Sequence, residues 1–198
     1  MRVLDAEAAE QGIPRDFEQG FGGKDGALPP LRIPSPDGSA TVSVQGRIDR
    51  IDALPGGQDL VIDYKAGSLG GLTKKLRLET MCKPELQLPI YVAALSQARP
   101  GTAVDAAYLS VGSAQRTATL REALLKKKAD PDALLELDPA RRQRLREQVP
   151  PPPNLADAVW QQVDQMRAGR FPVAPLSCEH CDLAAICRIV ALPAEEDE

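Results

Sequence analysis

The stretch VQGRIDRIDALPGGQDLVIDYKAG, Val44 to Gly67, reads as two β-branched strands joined by a turn at Pro55, Gly56 and Gly57. A turn centred near Gly56 sets Asp49 opposite Asp63, and like charges directly opposite on a sheet are destabilising. Alternate strand residues share a face, so Asp63 and Lys65 point one way and Ile62 and Tyr64 the other. Two carboxylates converging with an ammonium pack poorly but suit a divalent cation. A hard ion such as Mg²⁺ takes oxygen ligands and keeps several waters, so one or two carboxylates are enough. Such an ion lowers the pKa of a bound water and screens charge on a phosphodiester under attack, while Lys65 orients that water or the transition state. The competing reading is a solvated pair on an exposed sheet face.

Working outward, AVDAAYLSV (103–111) reads as a third strand, and LRLETMCKPELQLPIYVAALSQA (76–98) as a helix with Pro84 near its start. Gln87 and Tyr91, four apart, share a face of that helix and could reach back to the carboxylates. Residues 67–71 read as a flexible patch. Residues 1–40, rich in Gly and Pro, read as irregular with one short strand near Leu31 to Ile33. Residues 114–153 read as a charged, partly helical and exposed insertion. Asn154 caps a helix running to about Gly169, with Val159, Trp160, Val163 and Met166 on its apolar face.

The chain of 198 residues carries 28 acidic and 24 basic residues, net −4, which excludes bulk electrostatic attraction to nucleic acid and leaves only local contacts. Lys126 to Lys128 with Arg141, Arg142, Arg144 and Arg146 form its one basic concentration, either a solvated helical face or a phosphate-contacting patch. No apolar run is long enough to span a bilayer and no signal peptide opens the sequence, so the cytoplasm is the expected location.

Of four cysteines, Cys178, Cys181 and Cys187 lie within CEHCDLAAIC. Thiolates at these spacings converge on one centre, and both tetrahedral Zn²⁺ and an iron–sulfur cluster satisfy the geometry. His180 is a further zinc candidate.

GRIDRID, VIDYKAG, LQLPIY and the Cys-x2-Cys-x5-Cys tail, in that order over roughly 41–190, resemble the PD-(D/E)xK nucleases of the RecB type. They are most similar to the iron–sulfur branch that includes the nuclease domain of AddB-like helicase–nuclease subunits. The resemblance implies a restriction-endonuclease-like α/β core, a central mixed sheet flanked by helices, with a C-terminal cysteine-rich metal-bound staple. It implies an irregular segment at 1–40, a nuclease core at 41–176 and a cluster motif with acidic tail at 177–198. It also implies that Asp49, Asp63 and the Tyr64 carbonyl bind Mg²⁺ or Mn²⁺, that Lys65 is catalytic, and that Gln87 and Tyr91 position DNA or the lysine. Arg47 and Arg50 could touch phosphate, exposed strand arginines being the alternative.

The family's metal-binding histidine has no counterpart here, since the one histidine is His180; Glu18, ahead of the first strong strand, is the nearest substitute. Cys178, Cys181 and Cys187 would ligate a [4Fe–4S] cluster whose fourth thiolate is Cys82 or lies upstream, Zn²⁺ being the alternative. The implied partners are DNA, without sequence preference, and a helicase subunit or helicase region of the same polypeptide, in double-strand-break repair. Two alternatives stay open: a catalytically silent DNA-binding or scaffold module of the same fold, and a zinc-stapled interaction domain.

Overall fold

The structure is a computed structural model that describes residues 12–24, 26–78, 80 and 85–170. The strands are β1 (Ile13–Phe21), β2 (Leu31–Pro34), β3 (Thr41–Val44), β4 (Gly46–Leu54), β5 (Gln58–Lys65), β6 (Val104–Ser110) and β7 (Gln115–Arg116). The helices are α1 (Leu69–Lys75), α2 (Gln87–Ala98), α3 (Leu120–Lys126), α4 (Pro131–Leu135), α5 (Pro139–Arg146) and α6 (Leu155–Arg167). The chain divides into two compact units, Met1–Val163 and Asp164–Glu198; the second is represented among the described residues by 164–170 alone. Cys82, His180, Cys178, Cys181 and Cys187 lie outside the described residues, so the cysteine-rich staple expected from sequence does too.

A five-stranded mixed sheet has the order β1-β4-β5-β6-β7. Strands β1, β4 and β5 form an antiparallel meander, β6 runs parallel to β5, and β7 pairs antiparallel with β6. Parallel pairing demands a crossover, which α1 and α2 supply. The expected hairpin is present, closed by the Leu54–Gln58 pair. Gly56 and Gly57 occupy φ of +85° and +79°, a region that side chains with a Cβ rarely enter.

Leu88, Val92 and Leu95 of α2 pack on Ile51, Val61 and Ala106 in the main core. Leu60, Ile62, Ala107 and Leu109 form a second buried cluster from the alternate positions of β5 and β6. Burial on both faces explains why these strands are apolar almost throughout.

Four features differ from the sequence expectations. First, residues 12–40 are not irregular, because β1 is a nine-residue edge strand of the main sheet; it lacks apolar alternation because most of it is exposed. Second, the first strand of the Val44–Gly67 stretch begins at Gly46: the chain breaks at Gln45, and Val44 belongs to β3, which joins β2 in a separate hairpin. A Cβ on Gly46 would approach the Phe21 ring to 2.8 Å, so glycine is required where β4 begins under that ring. Third, the patch at 67–71 starts a helix: Ser68 caps α1 by accepting from the Gly71 N–H at 3.2 Å. Fourth, α2 starts at Gln87, eleven residues later than read; Pro89 is tolerated in its first turn, where N–H groups lack intrahelical partners. Pro84 lies outside the described residues.

Side chains cover the outer edge of the β2–β3 hairpin. Arg32 donates its backbone N–H to Gln97 Oε1 (2.8 Å) and its carbonyl accepts from Gln97 Nε2 (3.1 Å). Trp160 donates to the Ile33 carbonyl and Arg142 to the Pro34 carbonyl. These donors stand where another strand would pair, which blunts an edge open to association. Arg142, read from sequence as part of an exposed basic stretch, is 1% exposed and also donates to Asp157 at 2.7 Å. Arg146 bonds the same carboxylate, and Arg141 pairs with Glu136. Much of that stretch is therefore structural.

Candidate active site

The β4–β5 ladder runs from Leu54–Gln58 to Arg50–Ile62 and stops one position short of Asp49 and Asp63. Beyond that end, Asp49 Oδ2 accepts the Tyr64 backbone N–H at 3.0 Å, so a carboxylate occupies a place in the hydrogen-bond pattern that a backbone carbonyl would otherwise fill. The two aspartates lie close enough that the charge of Asp49 raises the proton affinity of Asp63.

Asp63 is fully buried at the end of β5, beside Tyr108 of β6 in register. Its Oδ1 accepts from Gln87 Nε2 at 2.7 Å. Its Oδ2 lies 2.6 Å from Lys65 Nζ, with which it forms an ion pair. Burial pushes the Asp63 carboxyl above the ordinary carboxylate range; Lys65 opposes that shift, Asp49 adds to it and Lys75 opposes it.

Gln87 joins the groups. Lys65 Nζ donates to Gln87 Oε1 at 2.9 Å, and Gln87 Nε2 donates both to Asp63 and to the Tyr91 hydroxyl, at 2.7 and 2.9 Å. The amide can face only one way here, with its oxygen on the ammonium and its nitrogen on the carboxylate. Burial raises the Tyr91 phenol pKa, Gln87 opposes the rise, and the charges of Asp63, Asp49 and Glu18 add to it. The structure thus brings Asp63, Lys65, Gln87 and Tyr91 into one connected cluster, with Asp49 on the adjoining strand. Tyr64, whose side chain points to the other sheet face, contributes only backbone on this side.

Two further sequence candidates, Arg50 and Glu18, are taken up by other partners. Arg50 is 4% exposed and forked onto Asp52, its Nε donating to Oδ1 at 2.5 Å and its NH2 to Oδ2 at 2.7 Å, while its NH1 reaches the Tyr64 hydroxyl at 3.2 Å. It is neither an exposed strand arginine nor placed for phosphate. Burial would lower its pKa, but the bonds from Asp52 and Tyr64 outweigh this and hold it fully charged. Glu18 pairs with Arg47 at 3.3 Å on an exposed surface, both side chains more than half exposed. Among the described residues no three His, Cys, Asp or Glu side chains converge on one point.

The donor set nevertheless fits a hard divalent cation. Two carboxylates lie side by side, and burial with a like charge beside it disfavours the charged form of Asp63, which a divalent cation held between them would offset. The donors present are carboxylate oxygens, which suit hard ions such as Mg²⁺ and Mn²⁺.

A central mixed sheet flanked by helices, with a β-meander leading through a helical crossover into a parallel strand, matches a restriction-endonuclease-like α/β fold. The family model described as the PD-(D/E)XK nuclease superfamily matches residues 1–188, and the chain belongs to that superfamily. Its members are typically nucleases that hydrolyse phosphodiester bonds, commonly with Mg²⁺ or Mn²⁺. No curated protein matches the chain.

Proposed function

We propose that this chain is a divalent-metal-dependent DNA nuclease domain of the RecB type, acting as the nuclease part of an AddB-like helicase–nuclease in DNA break repair in the cytoplasm. The observation that carries the reading is the closed Asp63–Gln87–Lys65 network beside Asp49, which holds a lysine against a buried carboxylate at the end of β5. Asp49, Asp63 and the Tyr64 carbonyl would hold Mg²⁺ or Mn²⁺. When bound, the ion supplies Lewis-acid stabilisation of the phosphate charge and a more acidic water.

The chain's own residues do the rest. Gln87 fixes both Lys65 and Asp63, so neither reorganises during the reaction. Lys65 keeps donors beyond the one spent on Gln87 and directs them to the attacking water or the developing phosphorane charge. Tyr91 holds the Gln87 amide in register with the sheet. The core runs from β1 to α6, followed by the motif that begins at residue 177. Cys178, Cys181 and Cys187 would ligate a [4Fe–4S] cluster, in support of which stands the ordered four-motif pattern of the sequence.

Lys65→Ala is expected to lower kcat for DNA cleavage by roughly 10²- to 10³-fold, as loss of one transition-state donor does, while Mn²⁺ affinity changes only a few-fold. Single-turnover cleavage together with Mn²⁺ titration checks this, and cleavage at the parent rate would refute the site.

Anaerobically purified protein is expected to be brown, and Cys181→Ser to bleach it. Iron and sulfide analysis decides the matter: colourless protein with one equivalent of zinc would replace the cluster by a zinc site and leave the nuclease reading intact.

A further inference from the structure

A second polar chain runs beside the first. Glu85, two residues ahead of Gln87, pairs with Lys75 of α1, with Nζ to Oε1 at 2.5 Å. The same carboxylate lies near enough to the Tyr108 phenol, which is 1% exposed and in strand register with Asp63, for its charge to act on that phenol. The two chains are alike in construction. In each, a residue at the entrance of α2 lies beside a tyrosine and holds a lysine: Tyr91, Gln87 and Lys65 in one, Tyr108, Glu85 and Lys75 in the other.

Lys75 stays near the site because Leu72 and Leu76 bury the inner side of α1 in the core that also contains Tyr108. Its charge is felt at Asp63. Unlike Asp63, it is open to solvent, its side chain being 37% exposed. Burial and the neighbouring carboxylates Glu85 and Asp63 raise the Tyr108 phenol far above its ordinary pKa, so it stays neutral.

We propose that Lys75, held by Glu85, is a second cation of the site that binds a phosphate of the substrate strand next to the one cleaved at Lys65. The inference rests on the nuclease reading and adds a subsite to it. An ammonium has three donors, and with one on Glu85 it can offer two to a phosphodiester. Glu85 serves as its counter-ion when no DNA is bound, which keeps the lysine in place while an acidic pair of aspartates stands nearby.

The test is DNA binding as a function of salt, with fluorescent single-stranded and duplex oligonucleotides on the full chain, Ca²⁺ replacing Mg²⁺ so that the DNA stays whole. Lys75→Ala is expected to weaken binding of all sequences alike and to reduce the slope of log K against log salt by about 0.7 for single strands or 0.9 for duplex. For duplex, the parent's advantage over the variant then shrinks by about threefold between 50 and 200 mM salt. Lys75→Arg keeps the charge and is expected to restore the slope. Glu85→Gln is expected to weaken binding with the slope unchanged, because the lysine keeps its charge but loses its anchor. A purely structural ion pair would shift melting temperature and leave the slope alone. If the parent binds and cleaves DNA while Lys75→Ala keeps parental affinity and slope, the subsite is refuted and the nuclease reading survives. If the parent shows no salt-dependent DNA binding, both fall.

Discussion

Asp63→Asn is expected to lower metal-dependent DNA cleavage by roughly 10³-fold or more, about 4 kcal/mol of barrier, and to leave the metal-free protein at least as stable as the parent. The two halves have one cause. A fully buried carboxylate with a second carboxylate beside it is poor packing and a good cation ligand. Asn keeps the oxygen that accepts from Gln87 but loses the charge. Lys65, 31% exposed, loses its ion-pair partner yet retains its bond to Gln87 Oε1.

The sign of the pH dependence follows. The folded-state pKa of Asp63 is raised, so above the ordinary carboxylate value the native state binds more protons than the unfolded state, and stability falls as pH rises through the folded pKa. The metal-free parent should therefore lose melting temperature over that window through this group, and Asp63→Asn should remove that part of the slope. Saturating Mg²⁺ should raise the parent's stability by about 2.7 kcal/mol at a hundredfold excess over Kd and leave the variant nearly unmoved. Thermal melts across pH, with and without metal, check each point. Parental cleavage by the variant would show that Asp63 is not a ligand.

Arg50→Met is expected to destabilise the protein by about 3–5 kcal/mol, a drop of roughly 6–20 °C in melting temperature for a domain of this size. The side chains of Arg50 and Asp52 are each 5% exposed and joined by two short bonds, so removing the guanidinium strands a carboxylate in the interior. Replacing both, as Arg50→Met with Asp52→Leu, is expected to recover most of the loss, because the penalty belongs to the unpaired charge and not to the missing contact. The slope of DNA binding against salt should stay parental, in contrast to Lys75→Ala. A soluble, fully stable Arg50→Met protein with weakened DNA binding would restore the phosphate-contact reading that the geometry argues against.

The strand pair around the Pro55–Gly57 turn, the β6 strand and the helix capped by Asn154 were legible because each is written locally. Period-two burial, left-handed glycines and an N-cap side chain act within a few residues. Gln87 and Tyr91 could be paired from sequence because four residues make one turn of helix. Strand β1 was not legible, since an edge strand that is mostly exposed has no apolar alternation to betray it. Nor was α1, where Gly70 and Gly71 signal a loop and the Ser68 cap with the burial of Leu72 against the core favours helix.

The sequence by itself determined that Asp49, Asp63 and Lys65 sit on strands joined by a tight turn, because spacing along a strand fixes which side chains share a face. Only the tertiary structure decided which charges face solvent and which are paired. Arg50 and Arg142 are indistinguishable from surface arginines in a string of letters, and each is buried by a carboxylate that folding brings to it, Asp52 two residues away and Asp157 fifteen. Lys75 and Glu85 likewise gain a relation to Asp63 only when α1 folds back over β6, because charge acts through space and the chain distance between them carries no information about it.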